Sequence, residues 1–130
     1  MSFTSKAKGR VVAHVNAKYE KIDVASKQGL FNHKCFFNAV QWAVKHPKHT
    51  VVEVMYIDNG DPILHYVVEH EQKYYEVTLG FLSQSLTYFK LRTIHSSDYR
   101  YIGYEFDNAK NEWLYQFTNW FTRLFIDRIV

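Results

Sequence analysis

Apolar and polar residues alternate through the middle of the chain as β-strands require. Residues 50–57 are rich in β-branched and aromatic side chains, with Glu53 as their one charge. This pattern predicts a strand that is buried on both faces. Residues 63–69 and 72–79 have the pattern of two further strands, and residues 86–94 and 99–106 that of a fourth and a fifth. Turn-forming residues at 58–62 separate the first two strands, so we expect an antiparallel sheet.

Two segments instead repeat their apolar residues at helical spacing. The first follows Asn32, a good N-cap residue, and ends before His46 and Pro47, because proline excludes the preceding residue from helical geometry. Its apolar side is formed by Phe36, Val40, Ala43 and Val44. A longer helix is predicted after Asp107 and Asn108, with an apolar side formed by Trp113, Phe117, Trp120, Phe121 and Leu124.

The N-terminal part of the chain has a weaker pattern. Residues 1–10 are polar and small, which predicts a flexible segment, and residues 11–15 have the character of an edge strand. Residues 16–27 fit no element. The predicted fold is therefore α+β in a single domain, 1–130. The first helix packs on an antiparallel sheet of about five strands, and the long C-terminal helix closes it.

The composition is that of a folded globular protein, with 47% hydrophobic and 22% charged residues. Aromatic residues make up 18% of the chain, and their regular spacing favours a core over a binding surface. A single cysteine excludes an internal disulfide and suits a reducing compartment. The first fifteen residues lack the apolar run typical of a signal peptide, and no apolar stretch approaches membrane-spanning length. We therefore predict a cytoplasmic protein with no membrane contact.

The charge pattern and the histidine spacing argue against nucleic-acid binding and metal binding, respectively. The net charge of +3 is mild, and no basic stripe alternates with stacking aromatics, so nucleic acid is not the expected partner. His46 and His49 are spaced like metal ligands, but Pro47 interrupts the helix between them and no second ligand pair follows. We predict neither a metal nor any other cofactor.

The one cysteine lies where a thiolate is stabilised. With Asn32 as N-cap, Cys35 falls near the third helical position, at the positive end of the helix dipole. If residues 69 and 72 face each other across a two-residue turn, His65 lies opposite Glu76 on the next strand. Directly opposed side chains lie on one face of a sheet, with Cβ atoms about 5 Å apart. A glutamate so placed accepts one ring N–H and leaves the other ring nitrogen for a nucleophile.

The chain order of cysteine on a helix, histidine on a strand and acid on the next strand resembles the papain-like cysteine hydrolases in the broad sense. The topology is similar to that of transglutaminase-like enzymes and bacterial cell-wall peptidases. Residues 35–39, CFFNA, resemble the cysteine box of ovarian-tumour-type deubiquitinases, and His65 with Tyr66 resembles their histidine box. The resemblance covers residues 28–80. The spacing of Cys35 and His65 is tighter than in papain or those deubiquitinases.

This resemblance implies a cysteine-dependent hydrolase or acyl transferase acting on an amide, isopeptide or thioester bond of a peptide or protein substrate. Cys35 is then the nucleophile, His65 the general base and later acid, and Glu76 the group that orients the imidazole. The amide N–H of Cys35 forms part of an oxyanion hole, with Gln28 or Asn32 as the side-chain donor.

Two other interpretations stay open at this level. The position of Cys35 is equally consistent with a small, buried apolar side chain that is not a nucleophile. The chain could also be a non-catalytic interaction module, such as a small viral or host-directed protein, that keeps a papain-like shape and binds a macromolecule. Such a module would use exposed aromatic and basic residues such as Tyr99, Arg100 and Tyr101. The sequence leaves the oligomeric state undetermined.

Overall fold

A computed structural model describes residues 5–117. The described residues combine helices with a curled, mostly antiparallel sheet, as the α+β prediction requires. The helices are α1 (Ser5–Lys18), α2 (Cys35–Lys45) and α3 (Ile102–Phe117), and two short 3₁₀ helices cover Gly80–Ser85 and Ser96–Tyr101. The strands are β1 (Glu20–Ile22), β2 (Val24–Ser26), β3 (Thr50–Asp58), β4 (Asp61–His70), β5 (Lys73–Glu76) and β6 (Thr87–Thr93).

The sheet has the strand order β1-β6-β3-β4-β5-β2 within the described residues. This is one strand more than expected: residues 16–27, which fitted no element, supply the two short outer strands, and the strand predicted at residues 99–106 is helical instead. β2 pairs with β5 in parallel, and the other neighbouring strands are antiparallel. The central strand β3 is buried along most of its length, as its apolar sequence predicted.

The N-terminal segment is helical and part of the core, whereas the sequence predicted a flexible start and an edge strand at residues 11–15. Ala7, Val11 and Val15 recur every four residues, and all three are fully buried. Such spacing places side chains on one face of a helix. The strand prediction was wrong because the valines and the alanine of residues 11–15 are typical of a strand when taken alone. The helical repeat becomes apparent only when Ala7 is included.

The two faces of the sheet are covered differently. On one face, α2 packs Ala39 and Ala43 against Tyr66, Val68 and Val77. The other face carries a cluster centred on Ile22, Val52, Val54, Val67 and Tyr88, with Val24 and Tyr74 against it. All six strands contribute to this second cluster, so the curled sheet packs against itself there. Val44, which was expected on the apolar side of α2, is 65% exposed.

The C-terminal prediction was partly wrong. Residues 99–106 form the end of a 3₁₀ helix and the start of α3, not a fifth strand, and Asp107 and Asn108 lie within α3. Trp113 packs with Val11 and Val15 in the core between α1 and α3, as the apolar repeat predicted. Trp120, Phe121 and Leu124 lie outside the described residues. No helix among residues 5–117 has the length and apolar character needed to cross a membrane.

Candidate active site

The cysteine opens helix α2. Cys35 is the first helical residue, two positions earlier in the helix than predicted, and its side chain is partly buried. Lys34 occupies the N-cap position without a side-chain cap. Asn32 lies just before it, where its Oδ1 accepts the Lys34 N–H at 3.1 Å and the Asn38 Nδ2 at 2.8 Å. The amide groups of the first helical turn have no partner within the helix, so they are available to an anion.

The hairpin between β4 and β5 turns one residue later than the sequence predicted, which shifts the pairing register by two residues. Glu69 pairs with Tyr74 and His70 with Lys73, so the turn consists of Glu71 and Gln72. Both turn residues have positive φ, 53° and 66°, which suits a type I′ turn but is unfavourable for these residue types. The predicted register was wrong for this reason.

His65 and Glu76 nevertheless meet. Because side chains alternate with a period of two, a register shift of two residues keeps every side chain on its predicted face. Nε2 of His65 lies 2.9 Å from both carboxylate oxygens of Glu76. The contact is diagonal across the two strands, because Glu76, the last residue of β5, does not lie directly opposite His65.

Glu76 is held as a buried carboxylate. It is fully buried, and its Oε2 accepts the backbone N–H groups of Thr78 and Leu79 at 3.0 and 3.1 Å. The Tyr88 hydroxyl donates to Oε1 at 2.5 Å. Burial alone would raise the pKa of Glu76, but the bonds from His65, Tyr88 and the backbone outweigh it and lower that pKa. The acid is therefore charged at neutral pH.

His65 is 4% exposed and has a strongly raised pKa. Burial disfavours the imidazolium, but hydrogen bonding with Cys35 and Glu76 and their negative charge outweigh it, and they raise the pKa to about 9. Because Nε2 faces Glu76, Nδ1 is the ring nitrogen left for the thiol. The structure thus brings the predicted Cys35, His65 and Glu76 together.

The three residues do not share one face of the sheet. Helix α2 packs on the face that carries Tyr66, whereas His65 points to the opposite face. The mostly apolar side chains on the His65 face of the two strands predict that the helix packs there, and this prediction was wrong. β5 pairs with β4 at Val68, Glu69 and His70 and then ends. β4 continues beyond the end of β5, and Cys35 and His65 line one cleft beside that part of β4.

This cleft has a volume of about 450 Å³, within the usual range for small-molecule sites. The same cleft is lined by Tyr56, Thr78 and Leu79 as well. The Tyr56 ring meets the His65 ring edge-on, with centroids 5.1 Å apart. Burial, followed by the charges of Cys35, Glu76 and Asp58, raises the pKa of Tyr56 to about 12. Its hydroxyl therefore keeps its proton and is available as a donor.

Sequence reasoning missed Tyr56 and Tyr88. Both are strand tyrosines on the His65 face, and their phenol rings lie 5.8 Å apart. For Tyr56 the available signal was parity along β3, since Tyr56 lies two residues from Val54, which pairs directly with His65.

The two predicted oxyanion donors have other partners. The Gln28 side chain donates to the Val77 carbonyl at 3.1 Å and lines a neighbouring cavity with Asn38 and Trp42. Asn32 is bonded to Asn38, whose Nδ2 also reaches Thr78 Oγ1 at 3.0 Å. These contacts join the start of α2 to the chain after β5, and thus position Cys35 relative to Glu76.

The histidines with metal-ligand spacing stack rather than converge. The rings of His46 and His49 lie 5.5 Å apart, and His49 stacks on His70 at 4.5 Å. Burial and then the neighbouring His70 and His46 lower the pKa of His49. Across residues 5–117, no group of three or more His, Cys, Asp or Glu side chains is arranged to hold a metal ion.

Comparisons with protein-family models, with curated proteins and with solved structures found no match. Any functional conclusion therefore depends on the site itself.

Proposed function

We propose that the protein is a cysteine-dependent hydrolase or acyl transferase that acts on an amide, isopeptide or thioester bond of a peptide or protein. One observation carries the proposal: a thiol at the start of a helix lines the same cleft as a buried imidazole, and one ring nitrogen of that imidazole is held by a fully buried carboxylate. The papain-like resemblance over residues 28–80 is part of the same proposal.

The raised pKa of His65 determines how the pair would work. An imidazole with a pKa of about 9 is protonated at neutral pH, so it cannot accept a proton from a neutral thiol in the resting enzyme. We propose that Cys35 reacts as the thiolate beside this imidazolium. This is the arrangement in which a cysteine is most nucleophilic.

In the first half-reaction, the Cys35 sulfur attacks the carbonyl carbon and a tetrahedral oxyanion forms. The amide N–H of Cys35, in the first turn of α2, and the Tyr56 hydroxyl are the candidate donors to that oxygen. As the carbon–nitrogen or carbon–sulfur bond breaks, the leaving group takes the proton from Nδ1 of His65. A thioester on Cys35 and a neutral imidazole remain.

In the second half-reaction, water or an acceptor amine attacks the thioester and gives its proton to Nδ1 of His65. The Cys35 thiolate leaves, and the acid product or the transferred amide is released. Glu76 remains charged throughout, because its bonds to Tyr88 and to two backbone N–H groups do not depend on the state of His65.

Alkylation of the single cysteine tests this proposal. Iodoacetamide should label the native protein at pH 6.5 at least about tenfold faster than it labels His65→Gln, because the imidazolium stabilises the thiolate. Gln can still donate to Glu76, which helps the variant to fold, and circular dichroism checks this. The exposed His95 provides the matched control, since His95→Gln should label like the native protein.

A native protein that labels no faster than a cysteine-containing peptide would contradict the proposal. An unchanged rate in a folded His65→Gln variant would do so as well.

A second candidate is the non-catalytic interaction module. It is favoured by the exposed tyrosines near and along α3, of which Tyr101, Tyr104 and Tyr115 are 48%, 74% and 54% exposed. Arg100 lies over the Tyr101 ring at 4.9 Å, whereas the Tyr99 hydroxyl accepts the Val51 N–H and supports the fold. If this candidate is right, Cys35→Ser retains binding to the partner and Tyr104→Ser loses it.

A further inference from the structure

The cleft beside Cys35 is lined mainly by hydrocarbon. Phe31, Ile63, Leu79, Leu82 and Phe106 line it together with Tyr56. Among the described lining residues, His33 and His65 supply the basic groups, and neither lysine nor arginine is present. A site of this composition gains affinity mainly from apolar surface.

One wall of the cleft belongs to a loop in an unfavourable conformation. Phe31 and His33 have φ of 51° and 57°, a region that residues other than glycine rarely adopt. The backbone N–H of Phe31 donates to the Thr78 carbonyl at 3.0 Å, which holds the loop against the chain after β5. Backbone strain of this kind persists only where the surroundings impose it, and it is common at binding sites.

The same wall continues onto the surface. Phe31 is 49% exposed, and its ring lies 5.9 Å from the ring of Phe81, which is 69% exposed. Leu82, 41% exposed, links this aromatic pair to the interior of the cleft. Adjacent large apolar side chains at the mouth of a cleft indicate a binding surface rather than incidental exposure.

We propose that this cleft selects a peptide with a large apolar side chain on the residue whose carbonyl Cys35 attacks. The inference rests on the proposed function and names its substrate class. The interior of the cleft would take the side chain, and the Phe31–Phe81 pair would contact the preceding residue. An unbranched acyl chain is the alternative occupant of so apolar a cleft.

Chloromethyl ketones provide the test. In each reagent, the Cys35 sulfur forms a bond to the methylene carbon as the carbon–chlorine bond breaks and chloride leaves. The reagents are N-acetyl-phenylalanyl, N-acetyl-alanyl and N-acetyl-lysyl chloromethyl ketone and 1-chloro-2-octanone. Each rate is divided by the rate of the same reagent with free cysteine. We expect the phenylalanyl reagent to exceed the alanyl and lysyl reagents by about tenfold or more.

Two matched pairs of variants locate the preference. Leu82→Ser and Phe81→Ser should each reduce the phenylalanyl-to-alanyl ratio several-fold. Val44→Ser and Tyr104→Ser alter exposed large side chains that do not line the cleft, so they should leave the ratio unchanged. All four side chains are at least 41% exposed, so their replacement does not disturb the core.

The outcomes separate this inference from the proposed function. Equal normalised rates for the three amino-acid reagents, or a faster reaction with the octanone, would overturn the inference alone while iodoacetamide still labels Cys35 quickly. Slow labelling by iodoacetamide and by every ketone would overturn the proposed function, and the inference with it.

Discussion

At the scale of single residues, Glu76 is the group on which the site depends. Five contacts to its two oxygens hold it as an anion: two from Nε2 of His65, two from backbone N–H groups and one from Tyr88. The sequence indicated the pair, because a histidine and a glutamate at matching strand parity are unexpected on an otherwise apolar face. It could not indicate Tyr88 or the two N–H donors, because those contacts depend on how the chain turns after β5.

Glu76→Gln tests the buried charge. Removing one partner of a buried pair typically costs about 3–5 kcal/mol, so we expect the free energy of unfolding to fall by about 3 kcal/mol. The pKa of His65 should also fall, because burial is then opposed by Cys35 alone. Urea unfolding and an NMR titration of the imidazole measure the two effects.

The matched control is Glu71→Gln, whose carboxylate is 82% exposed in the turn before β5. It should change stability by no more than about 0.5 kcal/mol. Equal effects of the two substitutions would show that Glu76 does not act as a buried anion.

Tyr88→Phe removes a single donor from the same carboxylate. A hydrogen bond to a charged group contributes about 1.5–3 kcal/mol, so we expect a loss of about 2 kcal/mol in urea unfolding. Tyr104→Phe, on the surface of α3, is the control and should be neutral. No difference between the two variants would contradict the role assigned to the Tyr88 hydroxyl.

At the scale of elements, the central strands and α2 were predicted, whereas α1 and the strained turns were not. The central strands and α2 follow from their apolar patterns, and Pro47 correctly predicted the end of the helix at Lys45. The turn at Glu71 and Gln72 and the loop at Phe31 use positive φ at residues other than glycine. Local sequence does not favour these conformations, so tertiary contacts must impose them.

A substitution at Gly80 tests the account at the scale of elements. Gly80 follows β5 and packs against the loop before α2. Its φ is +51°, and an added Cβ would lie 3.0 Å from Gly29 Cα. Gly80→Ala should therefore push the loop away from Thr78 and slow the alkylation of Cys35. It should also destabilise the protein by at least about 1 kcal/mol.

Gly60 offers a matched control. Its φ is +84°, but an added Cβ would meet no atom within 4 Å. Gly60→Ala should therefore cost stability through backbone strain without slowing the labelling of Cys35. If Gly80→Ala slows labelling no more than Gly60→Ala does, the proposed coupling between this loop and the site is absent.

At the scale of the whole molecule, the curl of the sheet brings the site together. The sequence predicted a sheet with helices but not its closure, because the outer strands β1 and β2 have only three residues each. Segments this short carry no readable periodicity. Their pairing with β6 and β5 nevertheless encloses the cluster around Tyr88 beneath His65.

The site should give the molecule a defined pH dependence of stability. The pKa of His65 is about 9 in the folded state, against an ordinary value of 6.5. A raised pKa contributes stability that is complete below about pH 6.5 and is lost as the pH rises through 9. The shift corresponds to roughly 3 kcal/mol at 1.36 kcal/mol per pKa unit.

Urea unfolding of the native protein and of His65→Gln between pH 6 and 10 measures this contribution. The stability advantage of the native protein should shrink across that range. Glu76 stays ionised there, because its own pKa is lowered and its contribution is lost only as the pH falls through that lower value. An advantage that stays constant with pH would contradict the charged pair.

The most direct test of the account is an NMR titration of the His65 imidazole in the native protein and in Cys35→Ala. The account predicts a pKa of about 9 in the native protein and a clearly lower value in the variant, because the thiol is one of the two groups that raise it. The same value in both proteins, or a native value near 6.5, would show that Cys35 and His65 do not form a pair.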